Sequence, residues 1–512
     1  MKIQPKIVLG CVVGIGIIIA SCTNYPKQQI TIGISSENLI LEDSISQLTK
    51  LATGGTPEIM TKGSVSLTKL ACEGQLDAIA IADEMWASIL CPDANWVNNS
   101  DTLYRTRIQL AVPTKKAQEL GWNDRTVSRK EVLEALKSGK LKLATTLPTH
   151  SNSGYNFLLW LTREELGGNI DPQQITPQTL KPLQPIYQNL AQSSESTSFL
   201  AEKLTQNWED NTIAALYRFL YSPDGKSLSI HGDRVSLPQS VTLVDVNPAV
   251  TVTPSWFVTS SDPEIREQLQ VEVFEALEES DRSTFEQIAQ LNPPLSQEIK
   301  RETTPGVAVH RKLLESFHPS IRQKRWIVGI IDGSGSMEGE GFNQLLSAFR
   351  ELLETEKAKS NFLYSPEDKF SLIVYQGEGA YSLPRNVEAS TNLDREKLWQ
   401  SLNQEVRVGG GTPVKAGLYR GFESALKVPI DYQIEIFLFT DGRFGNPLDR
   451  ELLSLHQELE NKNAQITIVG AGNVNAKQLQ KLARELNARP IISSSASQTK
   501  EELLKAFREG QI

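Results

Sequence analysis

Trp326-Ile-Val-Gly-Ile-Ile-Asp-Gly-Ser-Gly-Ser336 is the stretch on which the fold turns. Its first six residues are apolar at nearly every position, the pattern of a parallel strand buried on both faces. The run ends in Asp332-Gly-Ser-Gly-Ser336 ahead of a helical stretch, so this loop lies at the carboxyl end of a strand, where open α/β sheets place their ligands. Asp332, Ser334 and Ser336 occupy alternate positions. One loop can therefore aim a carboxylate and two hydroxyls at a common point, the oxygen-only donor set that a hard divalent cation prefers.

Downstream, strands are expected at 370–375, 434–440, 465–469 and 490–493, between amphipathic helices at about 342–357, 413–427, 449–461, 475–487 and 499–509. Upstream, Ile30–Ile34, Ala78–Ala82, Ile108–Val112 and Lys142–Thr146 read as strands, and Arg129–Ser138 and Phe157–Leu166 as helices. This alternation predicts an α/β fold in two units, 30–320 and 321–512. They meet in a charged junction broken by Pro305 and Gly306, with a helix expected around Arg311 to Ser316.

The chain has 512 residues, 39% hydrophobic and 22% charged, which excludes a disordered acidic tail, a collagen repeat and a multi-span membrane protein. Lys and Arg total 52 against 61 Asp and Glu, a net charge of −9. Without a long basic cluster there is no footprint for phosphate neutralisation, so no nucleic acid partner is expected. Gly333-x-Gly335 and Gly470-x-Gly472 do not complete a dinucleotide loop, because Glu338 and Asn475 stand where the third glycine belongs. His150, His231, His310, His318 and His456 form no metal-binding pair and flank no obvious nucleophile. The sequence thus reads as a binding protein, not an enzyme, and no catalytic residue is assigned.

Lys2 and Lys6 precede an apolar run from Ile7 to Ala20, long enough for a signal-peptide core and shorter than the roughly 20 residues that span a bilayer. Ile19-Ala20-Ser21-Cys22 resembles a bacterial lipobox. The resemblance implies that residues 1–21 are removed, that Cys22 is lipidated with acyl chains such as palmitate, and that the body faces the periplasm or exterior from a membrane of the cell envelope. Residues 22–29 form a polar tether. Cys72 and Cys91 are then the remaining thiols, either a disulfide or two small buried side chains.

Together with Gly409-Gly-Gly-Thr-Pro413 and Ile436-Phe-Leu-Phe-Thr-Asp-Gly442, the Asp332 to Ser336 loop resembles the DxSxS motif and metal-ion-dependent adhesion site (MIDAS) of von Willebrand factor A domains, over residues 326 to 510. The resemblance implies a Rossmann-like domain. It further implies that Thr412 and Asp441 complete a metal site for Mg2+ (or Mn2+), with Ser334, Ser336 and Thr412 as neutral ligands and Asp332 and Asp441 direct or through water. The ion would keep a position open for a carboxylate offered by a protein partner.

Lys62-Gly-Ser-Val-Ser-Leu67, the segment Gly74 to Asp83 and the segment Lys140 to Gly154 resemble the periplasmic solute-binding fold of the phosphate and molybdate type, two α/β lobes closing on a ligand. The resemblance implies Ser64, Ser66, Asp83, Ser151 and Ser153 as ligand residues for a small anion or peptide. Serine hydroxyls and backbone N–H groups at helix N-termini can build such a pocket, and the same serines can serve as helix caps with no ligand. The sequence departs from a phosphate binder at Thr149, Ser151, Tyr155 and Ala82, which replace arginine, aspartate, threonine and serine. The tandem resembles bacterial substrate-binding and VWA domain-containing proteins, which implies an adhesion or scaffold role; the alternative is the solute receptor of an ABC-type transporter.

Overall fold

The computed structural model describes residues 29–230, 233–274, 276–277, 282–292, 305–321, 324–385, 394–492, 500, 502–504 and 506–507. The expected leader, Cys22 and almost all of the tether lie outside the described residues, as does much of the helix expected at 499–509. Among the described residues no helix is long and apolar enough to cross a membrane.

The N-terminal unit is built on two sheets. The first runs Glu58–Lys62, Thr31–Ser35, Ala78–Ile81, Ser255–Val258, Ser100–Thr102; its first three strands are parallel, and Ser255–Val258 is antiparallel to both neighbours. The second runs Val241–Val244, Thr106–Pro113, Thr212–Tyr217, Lys142–Thr146, Gln192–Ser194, with Val250–Val252 also paired to Thr106–Pro113. Each sheet anchors one lobe. The chain passes from the first lobe to the second after Thr102 and returns before Ser255, and the two crossings lie side by side, with Leu103 N–H donating to Pro254 O at 2.9 Å. Every residue of Ala78–Ile81 is buried, as a central strand covered on both faces requires. The helix Arg129–Lys137 starts where its sequence says it should, because Ser128 and Glu131 form a reciprocal capping box.

Cys72 and Cys91 are joined as a disulfide with Cα atoms 5.7 Å apart, tying the helix Ser64–Cys72 to the end of Met85–Leu90.

The junction helix is longer than the sequence suggests. It spans Val307–Ile321, and Val309, Leu313, Leu314, Phe317 and Ile321 are buried in the N-terminal core. It packs on Met85–Leu90 of the first lobe and on Pro177–Leu180 and Gln184–Gln188 of the second. Phe317 meets Tyr187 edge-on at 5.3 Å between ring centres. The helix is a strap across both lobes rather than a spacer.

In the C-terminal unit one six-stranded sheet runs Gly379–Leu383, Lys369–Gln376, Arg325–Asp332, Gln433–Thr440, Gln465–Gly470, Arg489–Ile491. All neighbours are parallel except Gly379–Leu383, an antiparallel edge strand the sequence reading did not foresee. Helices cover both faces of this doubly wound sheet. Ile327 and Ile331 pack with Phe349 and Leu352 on one side, and Val328 and Ile330 with Leu418 and Phe422 on the other. The helix expected at 342–357 breaks at Glu354, whose backbone is extended, into Glu340–Leu353 and Thr355–Ser360. At the base of the central strand the fully buried Arg325 guanidinium lies 3.1 Å from Glu435 and 3.5 Å from Asp368. Strand order reverses around Arg325–Asp332, which opens a crevice at the carboxyl ends of Arg325–Asp332 and Gln433–Thr440.

Candidate functional site

Asp332 ends the central strand and Asp441 follows the adjacent one, so the sheet itself sets two buried carboxylates at the crevice. Asp332 is held at both oxygens: Ser334 N–H donates to Oδ1 at 2.9 Å and the Thr440 hydroxyl donates to Oδ2 at 2.7 Å. Burial pushes the Asp332 carboxyl above its ordinary value, hydrogen bonds from Ser334 and Thr440 oppose the rise, and the nearby Asp441 charge adds to it. Asp441 accepts from Arg443 N–H through Oδ1 at 2.9 Å, while its buried Oδ2 has no hydrogen-bond partner. Ser334 Oγ and Ser336 Oγ lie 3.2 Å apart, Ser334 buried and Ser336 exposed.

The third loop is fastened to the first through backbone. Gly409 N–H donates to Gly333 O at 2.9 Å, and Gly335 N–H donates to Gly410 O at 3.1 Å. Gly410 has φ +77°, and a Cβ there would come 2.9 Å from Gly377 Cα, so only glycine permits three loops to approach this closely. Thr412 follows at once, half-buried, just before the helix Val414–Leu426.

This donor set fits a hard divalent cation. Two buried carboxylates side by side are costly without positive charge beside them, and a buried carboxylate oxygen without a hydrogen bond is an acceptor with capacity for a further partner. Hydroxyls from Ser334, Ser336 and Thr412 would add ligand atoms without further charge. Among the described residues no group of three or more His, Cys, Asp or Glu gathers. Thr440 is a member of this arrangement that the sequence reading missed; its signal was a polar residue closing the apolar run Ile436–Phe439.

In the N-terminal unit the expected ligand residues do not form one pocket. Ser64 and Ser66 stand two apart on the helix Ser64–Cys72, about 200° around its axis, and so face different ways. The Ser64 hydroxyl accepts from Ala82 N–H at 3.1 Å, whereas Ser66 lines a groove between the first lobe and the C-terminal unit. That groove, about 1030 Å³, is the largest cavity described, and it lies away from the carboxylate pair. Ser151 and Ser153 do come together, 3.3 Å apart, but Ser153 is also 2.8 Å from Thr146 Oγ1 and 2.9 Å from Thr197 Oγ1. The helix here opens at Asn152, five residues before the Phe157 expected from the sequence, so Ser153 lies inside its first turn. Asp83 accepts from Met85 N–H at 3.0 Å.

Between the lobes the space is filled by the protein itself. Trp86 Nε1–H donates to Asn152 Oδ1 at 3.2 Å, Asn152 Nδ2–H donates to Tyr217 Oη at 3.1 Å, and the Trp86 ring meets Tyr155 edge-on at 5.5 Å. All four side chains are fully buried. A cavity of about 50 Å³ remains beside them, lined by Asp83, Trp160, Arg163 and His310 among others.

Residues 327–506 match the von Willebrand factor type A domain family. None of the curated proteins matches the chain. Among solved structures it is similar to a von Willebrand factor type A protein from Catenulispora acidiphila, with 19% identity over 38% of this chain and 44% of that one and a TM-score of 0.29. It is similar to the periplasmic binding protein AfuA from Actinobacillus pleuropneumoniae, with 12% identity over 57% of this chain and 98% of that one and a TM-score of 0.41. It is also similar to the pilus adhesin SpaC from Lactobacillus rhamnosus GG, with 15% identity over 37% of this chain and 30% of that one and a TM-score of 0.29. The chain thus spans less than half the length of the first and third of these proteins. It carries a von Willebrand factor type A domain over residues 327–506, preceded by a two-lobed α/β unit.

Proposed function

We propose that the chain is a lipid-anchored binding protein of the cell envelope whose C-terminal domain holds Mg2+ or Mn2+ through Asp332, Ser334, Ser336, Thr412 and Asp441 and presents it to an acidic group of a protein partner. The observation that carries this reading is the buried carboxylate pair at the strand-order reversal, with Asp441 Oδ2 left without a hydrogen bond. When bound, the ion supplies a Lewis-acid position that a carboxylate can enter. Anchoring is supported by the Ile19 to Cys22 sequence after its short apolar run. The role is capture, not turnover, and no hydrolysis is expected. What favours a scaffold over a solute receptor is the cleft, occupied by Trp86, Asn152, Tyr155 and Tyr217.

The test is a calorimetric titration of the full chain with Mn2+. One ion should bind per chain, and Asp441→Ala should abolish binding while leaving the circular dichroism spectrum unchanged. Partner capture from membranes should vanish on chelation. A folded, unsubstituted chain that takes up no Mn2+ defeats the reading.

A further inference from the structure

Asp441, Gly442 and Arg443 leave the sheet as one rigid turn. Gly442 has φ +76°, and a Cβ on it would meet Leu479 Cδ2 at 2.9 Å and Asn475 O at 3.0 Å, so the turn is hemmed in. Asn475 N–H donates to Asp441 O at 2.7 Å, and Arg443 N–H fixes Asp441 Oδ1. The backbone of this turn is therefore set, while the Arg443 side chain is 48% exposed. Its Nε lies 3.7 Å from Asp441 Oδ2, near enough for charge attraction and too far for a hydrogen bond. That oxygen is the same buried acceptor that has no hydrogen-bond partner.

We propose that Arg443 is a built-in competitor of the divalent cation: its guanidinium neutralises Asp441 in the metal-free protein and is displaced toward solvent when the ion binds. The inference rests on the metal-site reading above. Two buried carboxylates carry two negative charges, which a divalent ion balances fully and one guanidinium balances by half. The long, half-exposed side chain lets the second arrangement give way to the first without moving the loop. Arg443 thereby sets a threshold of metal concentration for loading, because the ion must outcompete a positive charge that never leaves the chain.

The experiment is Mn2+ titration of the full chain by calorimetry, comparing the unsubstituted protein with Arg443→Ala and Arg443→Lys. A single charge about 6 Å from a divalent ion in a water-like dielectric corresponds to roughly tenfold in binding constant, so Arg443→Ala should bind Mn2+ about tenfold more tightly. Arg443→Lys keeps the charge and should stay within about threefold of the unsubstituted protein. The gap between Ala and Arg should shrink as NaCl is raised, since an exposed charge is screened. Equal or weaker Mn2+ affinity in Arg443→Ala overturns this proposal and leaves the metal site standing. Absence of Mn2+ binding in the unsubstituted chain overturns both.

Discussion

Gly442 is the residue through which the Asp441 carboxylate is aimed. Its left-handed backbone is strained for any L side chain, and added carbon would press on Leu479 and on the Asn475 carbonyl. Gly442→Ala is expected to lower stability by about 2 kcal/mol in chemical denaturation, and to weaken Mn2+ binding at least tenfold because Asp441 Oδ2 is re-aimed. A variant with unaltered stability and affinity would show that the turn is not the positioning device. At this scale Asp332, Ser334 and Ser336 were legible as alternate polar positions after an apolar strand, whereas Thr412 and Asp441 were expected through the resemblance to von Willebrand factor A domains. Arg443 was not legible, since its relation to Asp441 depends on the path of a long side chain. Ser66 was misplaced because a pattern of nearby serines says nothing about helical phase until the helix start is known.

At the scale of elements, the strap helix Val307–Ile321 joins the two lobes chemically as well as sterically. His310 Nδ1 lies 2.6 Å from Tyr155 Oη, and burial, reinforced by the Arg163 charge, lowers its pKa to about 4. An unfolded histidine titrates near 6.5. Native His310 therefore binds fewer protons than the unfolded chain between these values, so its contribution is complete above about pH 6.5 and is lost as pH falls toward 4. Asp83, in the same small cavity, is pushed up to about 7, mainly by burial, and acts in the opposite sense: its burial destabilises increasingly as pH rises from its unfolded value toward 7. Comparing the unsubstituted chain with His310→Gln isolates the histidine. The stability difference between pH 7 and pH 4.5 should change by on the order of 2 to 3 kcal/mol; unchanged pH dependence in His310→Gln would show that His310 titrates normally.

The strap was foreseen only as a short boundary helix, because the sequence shows an apolar stripe but not the two surfaces waiting for it. The antiparallel strand Gly379–Leu383 was passed over for a different reason. Its signal is the short Gly377-Glu378-Gly379 turn, with Gly377 at φ +63°, between runs whose pairing partner was already assigned as a central strand. By contrast Lys142–Thr146 was read to the residue, since Gly139 and Pro148 confine the segment from both sides.

For the whole molecule, the two lobes, the strap and the C-terminal sheet follow one another in a single path. Phe317 is fully buried against Tyr187, on the face of the strap turned to the second lobe. Phe317→Ala should destabilise by about 3 to 5 kcal/mol and speed amide hydrogen exchange at the start of the helix Asn152–Glu165, where the interlobe contacts sit. If exchange there stays as slow as in the unsubstituted chain, the strap does not hold the lobes shut. The division into two α/β units was legible from βα alternation, whereas the two lobes and the Rossmann-like sheet were expected from the resemblances alone. The plugged cleft was not, because Trp86, Asn152 and Tyr217 lie far apart in sequence and meet only after both lobes have formed.

The strap ends at Ile321, the central strand begins at Arg325, and that strand terminates in Asp332. Tension applied at Asp332 would load the strand lengthwise, with the parallel neighbours Lys369–Gln376 and Gln433–Thr440 resisting in shear and Arg325 pinned at the far end by its buried acids. Whatever pull survives that resistance is delivered to the clamp on the two lobes. The crevice and the clamp on the two lobes thus sit at opposite ends of one short covalent line, Val307 to Asp332.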